Sequence, residues 1–154
     1  MEKVWFIHNS KFGNSEKLAN ELAKKLKSNF EVEVGNIKEV DLKVIGNDKP
    51  IALVLAARIV AFQIDAGIRK FLKKLTDALA EPIPKVAVFY THASPWADKK
   101  KNQMEKALKK ATCIGEICPE YLEVRMQKIE GPAVEGYEAK VDEFALKLTS
   151  FIQS

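Results

Sequence analysis

The residues best equipped for chemistry in this 154-residue chain are Ser10-Lys11-Phe12-Gly13-Asn14-Ser15, set between an apolar run and an amphipathic one. A phosphate needs several donors converging on it, and a helix start offers unpaired backbone amides with a favourable dipole. Gly13 lets the backbone turn tightly and approach a ligand, while the side chains of Ser10, Asn14 and Ser15 add donors. The same residues also suit a plainer role, in which Asn14 and Ser15 cap the helix and Gly13 turns the chain. Two further segments carry polar, cationic or aromatic groups: residues 56–64 with Arg58, and residues 91–96 with Thr91, His92, Ser94 and Trp96.

The elements around these segments decide between the roles. Val4-Trp5-Phe6-Ile7 is apolar without alternation, as a strand covered on both faces should be. Leu18, Ala19, Leu22, Ala23 and Leu26 then recur at helical spacing, with Asn14 as the expected N-cap. Residues 30–34 alternate apolar with acidic side chains and read as an edge strand. A helical turn is expected around Ile37-Lys38-Glu39-Val40, within an abbreviated second crossover. Ile51-Ala52-Leu53-Val54-Leu55 reads as a central strand, and Asp65 as the cap of a helix whose apolar face is Ile68, Phe71, Leu72, Leu75 and Leu79, stopped by Pro82 and Pro84. Residues 85–90 supply a fourth strand and residues 97–111 a charged helix. The fifth strand falls within residues 113–126, chiefly at Tyr121-Leu122-Glu123-Val124-Arg125-Met126 with Pro119 breaking the stretch before it, and a C-terminal helix follows from Tyr137.

Alternation of this kind predicts one α/β domain over residues 1–154. Five parallel strands in the order 2-1-3-4-5 are expected, with helices on both faces. Ligands on such sheets bind beyond the carboxyl ends of strands one, three and four, where the three chemically equipped segments are expected as loops.

Composition narrows the classes. An apolar share of 47% and a charged share of 30% are ordinary for a globular domain, and no apolar run approaches the roughly 20 residues that span a bilayer. Without a signal-peptide pattern at the start, the expected location is the cytoplasm. Cys113 and Cys118 lack the paired spacing of a zinc site and read as small buried hydrophobes. The net charge of +4 comes from lysines recurring along helices, with no reading element or aromatic platform for nucleic acid. An acidic protein partner suits it better.

The first loop resembles that of the flavodoxin family, whose pattern is Ser/Thr-x-x-Gly-Asn-Thr followed by an acidic residue and an apolar helix. Here it reads Ser10-Lys11-Phe12-Gly13-Asn14-Ser15-Glu16-Lys17-Leu18-Ala19. The resemblance implies a flavodoxin-like three-layer sandwich, with FMN as cofactor and its phosphate held by Ser10, Lys11, Phe12, Gly13, Asn14 and Ser15. Phe12 stands where many members carry a hydroxyl, so one phosphate contact must come from a backbone amide. The resemblance further implies that Ala56, Ala57, Arg58 and Ile59, then Thr91, His92, Ala93, Ser94 and Trp96, surround the flavin, although the second loop lacks the family's glycine and proline. Phe62 can cover one ring face. Trp96 either stacks on the ring or packs beneath the following helix. Arg58 either raises the flavin potential as a nearby cation or pairs with a carboxylate.

Three functions are compatible with these residues. The first is FMN-dependent electron transfer with a redox partner protein, acidic and ferredoxin-like, as monomer or homodimer, with no membrane and no nucleic acid involved. The second is a small flavin-dependent oxidoreductase of quinone or protoporphyrinogen type, since the spacing of Arg58 and Ile59 before the next helix is also similar to the flavodoxin-like protoporphyrinogen oxidases. The third is an interaction module that has lost its flavin.

Overall fold

The unalternating apolar runs become the inner strands of a single parallel sheet. In the computed structural model, which describes residues 1–60, 63–93 and 99–154, β1 spans Lys3–His8, β3 Ala52–Val60 and β5 Ile83–His92. β2 (Glu31–Asn36) lies at one edge beside β1, and its alternating exposure matches its alternating sequence. β6 (Ile114–Ile117) and β7 (Leu122–Arg125) share the other edge, both parallel to β5. Counting that edge as one position, the order is 2-1-3-4-5, as the alternation predicts. Between β6 and β7 the edge spends residues 118–121 against residues 87–88 of β5, and Pro119, with no amide to donate, sits in that gap.

Period-two alternation of fully buried strands gives two cores. Val4, Phe6, Ala52, Val54 and Phe89 face α1 (Asn14–Leu26) and α5 (Tyr137–Gln153). Trp5, Ile7, Leu53, Leu55, Val86 and Val88 face α2 (Leu42–Asp48), α3 (Ala66–Ala78) and α4 (Lys99–Lys110). Each such large side chain contributes about 1.5–3 kcal/mol by leaving water. Cys113 and Cys118 are free thiols within these cores, and burial pushes both up from the ordinary thiol range. Among the described residues no helix is long and apolar enough to cross a membrane.

Residues 37–40 form the expected turn, with the Glu39 and Val40 amides both bonded to the Asn36 carbonyl. A helix not expected from the sequence then starts at Leu42, because the Asp41 side chain accepts from the Lys43 amide and supplies the cap. One local expectation needs correction. The first helix is not capped by Asn14. Gly13 is its N-cap, in the left-handed region at φ 86°, and no side chain bonds to its first amides.

The far end of the fold is closed by a buried cation. Lys85, 9% exposed on β5, sends its ammonium to the carbonyls of Phe151 (2.7 Å), Ile152 and Ser154 and to the Ser154 hydroxyl. The Phe151 and Ile152 carbonyls belong to the last turn of α5, where backbone acceptors are not bonded by amides further along the helix and the dipole favours positive charge.

Candidate functional site

β1 pairs with β3 only from Val4 to Ile7, whereas the β3–β5 ladder continues to Arg58 opposite Thr91. The carboxyl end of β1 therefore parts from its neighbour while the other two strands run on, and a crevice opens at the point where the strand order reverses. The segment 10–15 enters this crevice and begins α1.

Ser10, Phe12, Asn14 and Ser15 line a cavity of about 30 Å³ together with Arg58 and Ile59 from β3, Thr91, His92 and Ala93 from β5, and Met126 and Ile129 beyond β7. Such a volume has room for about two waters. Phe12 and Ile129 stand 46% and 59% exposed at its rim, and the Lys11 ammonium lies 5.4 Å from the Phe12 ring centroid. The Ser10 hydroxyl and Arg58 Nε are both buried and have no partner. A buried polar atom left unpaired costs about 1–3 kcal/mol, so two of them at one cavity mark a place where a polar ligand would be held.

Ser15 lines the cavity from the buried start of α1. Its side chain is buried, and its Oγ lies 3.4 Å from Thr91 Oγ1, a long contact bridging α1 to β5. The polar groups that the first loop brings to the cavity are thus the side chains of Ser10, Asn14 and Ser15, beside the uncapped amides of α1.

The second and third segments are mostly strand. Ala56, Ala57 and Arg58 pair with Phe89, Tyr90 and Thr91. Ile59 then pairs antiparallel with Ile64 of β4 (Gln63–Ile64). The expected loop is absent at residues 56–60 because β5 continues alongside and satisfies the backbone of β3. Thr91 and His92 likewise belong to β5, and Ala93 follows its end. Phe62, Ser94 and Trp96 lie outside the described residues.

Arg58 takes the second of its two expected roles. Its Nη2 donates to Asp65 Oδ2 at 2.9 Å, and the same oxygen accepts from Asn9 Nδ2 at 2.7 Å. Asp65 Oδ1 accepts from the Gly67 amide and caps α3. Burial alone would raise the Asp65 carboxyl, but the Gly67 amide, Arg58 and Asn9 outweigh it and hold it below the ordinary carboxylate range. One carboxylate therefore joins the residue after β1 to β3 and α3 behind the cavity. His92, 4% exposed, turns to Glu123 of β7, which also receives Lys140 of α5 at 2.6 Å. Lys140 and His92 keep the Glu123 carboxyl low against its own burial.

The sequence reading missed the outer wall. After β7 the chain folds into a hairpin in which Met126 bridges Ala133, the Gln127 amide bonds the Pro132 carbonyl, and the Gly131 amide bonds Lys128. Its turn lies on the first loop: a Cβ at Gly131, where φ is 97°, would stand 2.6 Å from Asn14 Oδ1. The Gly131-Pro132 dipeptide is a turn signal, but nothing in it names Asn14 as the neighbour. Gly131→Ala should displace the Asn14 side chain and cost about 1–3 kcal/mol through the left-handed backbone. Urea unfolding will measure the loss, and an unchanged midpoint would show that the turn does not bear on Asn14.

No family model matches this chain, and no curated protein does. Solved structures do. A flavodoxin from the domain Archaea superposes with a TM-score of 0.74 at 12% identity, covering 99% of both chains. Oxidised flavodoxin 1 from Bacillus cereus gives 0.70 at 19% identity, covering 97% of this chain and 98% of that one. Rubredoxin oxygen:oxidoreductase from Desulfovibrio gigas gives 0.76 at 13% identity, with this chain matching 36% of its length. The chain has the flavodoxin-like fold.

Proposed function

We propose that the protein binds FMN and carries electrons between redox partners. The observation that carries this reading is the buried, unpartnered Ser10 hydroxyl at the uncapped start of α1, where the amides, Asn14 and the second orphaned donor on Arg58 converge. That donor set fits a phosphate: charge-assisted bonds to it contribute about 1.5–3 kcal/mol each. Ser10, Gly13, Asn14 and the amides behind them would hold the phosphate, and Ala56, Ala57, Ile59, Thr91 and Ala93 would border the ring. When bound, the flavin supplies the one- or two-electron chemistry. The protein's part is to position it, and no acid-base residue is required. Flavodoxins among the similar structures support the reading at the level of fold.

A flavin-free interaction module is the second reading, favoured by the small cavity and by a second segment that is strand where a flavin loop was expected. Purified protein mixed with FMN and passed through gel filtration separates the two. Retention of a flavin spectrum supports the first, and loss of both FMN and riboflavin rejects it. Ser10→Ala should weaken FMN by about 10- to 100-fold and leave riboflavin, which has no phosphate, unchanged. Equal losses for the two ligands would mean that the first loop only shapes the fold.

A further inference from the structure

Charge is distributed unevenly over the helices. α3 and α4 hold ten of the 25 basic residues and two of the 21 acidic ones, a net +8 that leaves −4 on the rest of the chain. The two helices lie side by side on one face of the sheet, and between them runs a groove of about 620 Å³. Leu72, Ala107 and Ala111 contribute apolar surface to its lining. Arg69, Lys73, Lys106 and Lys110 also line it, all four exposed and none in an ion pair among the described residues, against the single carboxylate of Asp77. Elsewhere Lys3, Lys25, Lys140 and Lys147 each meet a carboxylate within 4 Å. Four like charges around one groove repel each other, and a complementary surface relieves that repulsion.

We propose that the α3–α4 groove is the docking surface for an acidic protein, whose carboxylates meet Arg69, Lys73, Lys106 and Lys110 while a small apolar side chain enters between the helices. The inference rests on reading the cavity as a redox site, because α3 starts from Asp65, the carboxylate that holds Arg58 behind that cavity. A partner seated there lies against the same helix that the site is built on. The groove's shape selects protein over the other polyanions. It is concave, whereas reading duplex DNA takes an element that enters a groove. The apolar residues Ile68, Phe71, Leu72, Leu75, Met104 and Leu108 are spent on the core, leaving none to insert into a lipid surface.

The test is a titration of isotope-labelled protein with an acidic ferredoxin, followed by amide chemical shifts, with and without FMN. The expected shifts fall on Arg69, Lys73, Lys106, Ala107 and Lys110. Lys73→Glu with Lys106→Glu should weaken binding by about tenfold or more, and raising the salt should weaken it further. Lys24→Glu with Lys27→Glu, at the end of α1 and just after it, changes net charge equally on the opposite layer and should cost less than about threefold. Equal weakening by both pairs would reduce the effect to bulk charge and overturn the proposal. So would shifts located elsewhere, absence of binding, or tighter binding of a DNA duplex or phosphatidylserine vesicles through the same amides. Groove shifts without FMN retention would keep the docking surface and reject the flavin reading alone.

Discussion

Replacing Asp65 with alanine is expected to lower stability by about 3 kcal/mol, measured as the free energy of urea unfolding at neutral pH. The substitution leaves the Arg58 guanidinium, already short of a partner at Nε, without its counter-charge in a half-buried position. It also frees the Asn9 amide and removes the cap of α3. Breaking a buried pair costs about 3–5 kcal/mol and losing a cap about 1 kcal/mol. Partial exposure of both side chains brings the sum toward the lower figure. Asp65→Asn, which can still accept from Gly67, should recover part of the loss. The Asp65 carboxyl is depressed in the folded state, so its contribution is present above the ordinary carboxylate value and disappears as pH falls through the depressed one. The gap between wild type and variant should therefore close below about pH 4. A gap that is constant from pH 7 to pH 2 would mean that the charge of Asp65 is not what stabilises.

Lys85→Met is the second large effect. Methionine keeps the apolar stem and removes the ammonium, so the Ile152 carbonyl and the Ser154 oxygen lose this donor, while the Phe151 carbonyl keeps the Ser154 hydroxyl. Hydrogen bonds involving a charged group contribute about 1.5–3 kcal/mol, and the uncompensated carbonyls add to the loss. About 3 kcal/mol overall corresponds to a fall in Tm of about 6–12 °C for a domain of this size. Hydrogen exchange should localise the change to the last turns of α5, with α1 and α3 unaffected. A Tm within about 2 °C of wild type would show that water replaces the ammonium there.

Both variants act at places that combine residues distant in the chain, and this explains what was legible beforehand. Strand and helix identities follow from local periodicity: Val4 to Ile7 has no polar position to expose, and Ile68, Phe71, Leu72 and Leu75 can share only one helix face. Right-handed crossovers then leave little freedom in strand order. Asp65 as a cap was readable for the same reason, since a cap depends on the residues immediately after it. The ends of β3 and β5 were not readable, because a strand extends as far as its neighbour keeps supplying hydrogen bonds, and Ala56 and Arg58 have Phe89 and Thr91 as partners.

The sequence by itself determined the alternating element order, the two buried faces and the donor-rich segment from Ser10 to Ser15, since each depends on residue types within one turn or one strand. Only the tertiary structure decided that Gly13 and not Asn14 caps the start of α1, that Ser15 meets Thr91 across the cavity, that Asp65 neutralises Arg58, and that Gly131 lies against Asn14. Those outcomes depend on which distant side chain arrives within about 3 Å, and a hydrogen bond or a close contact falls off too steeply with distance for spacing along the chain to determine it.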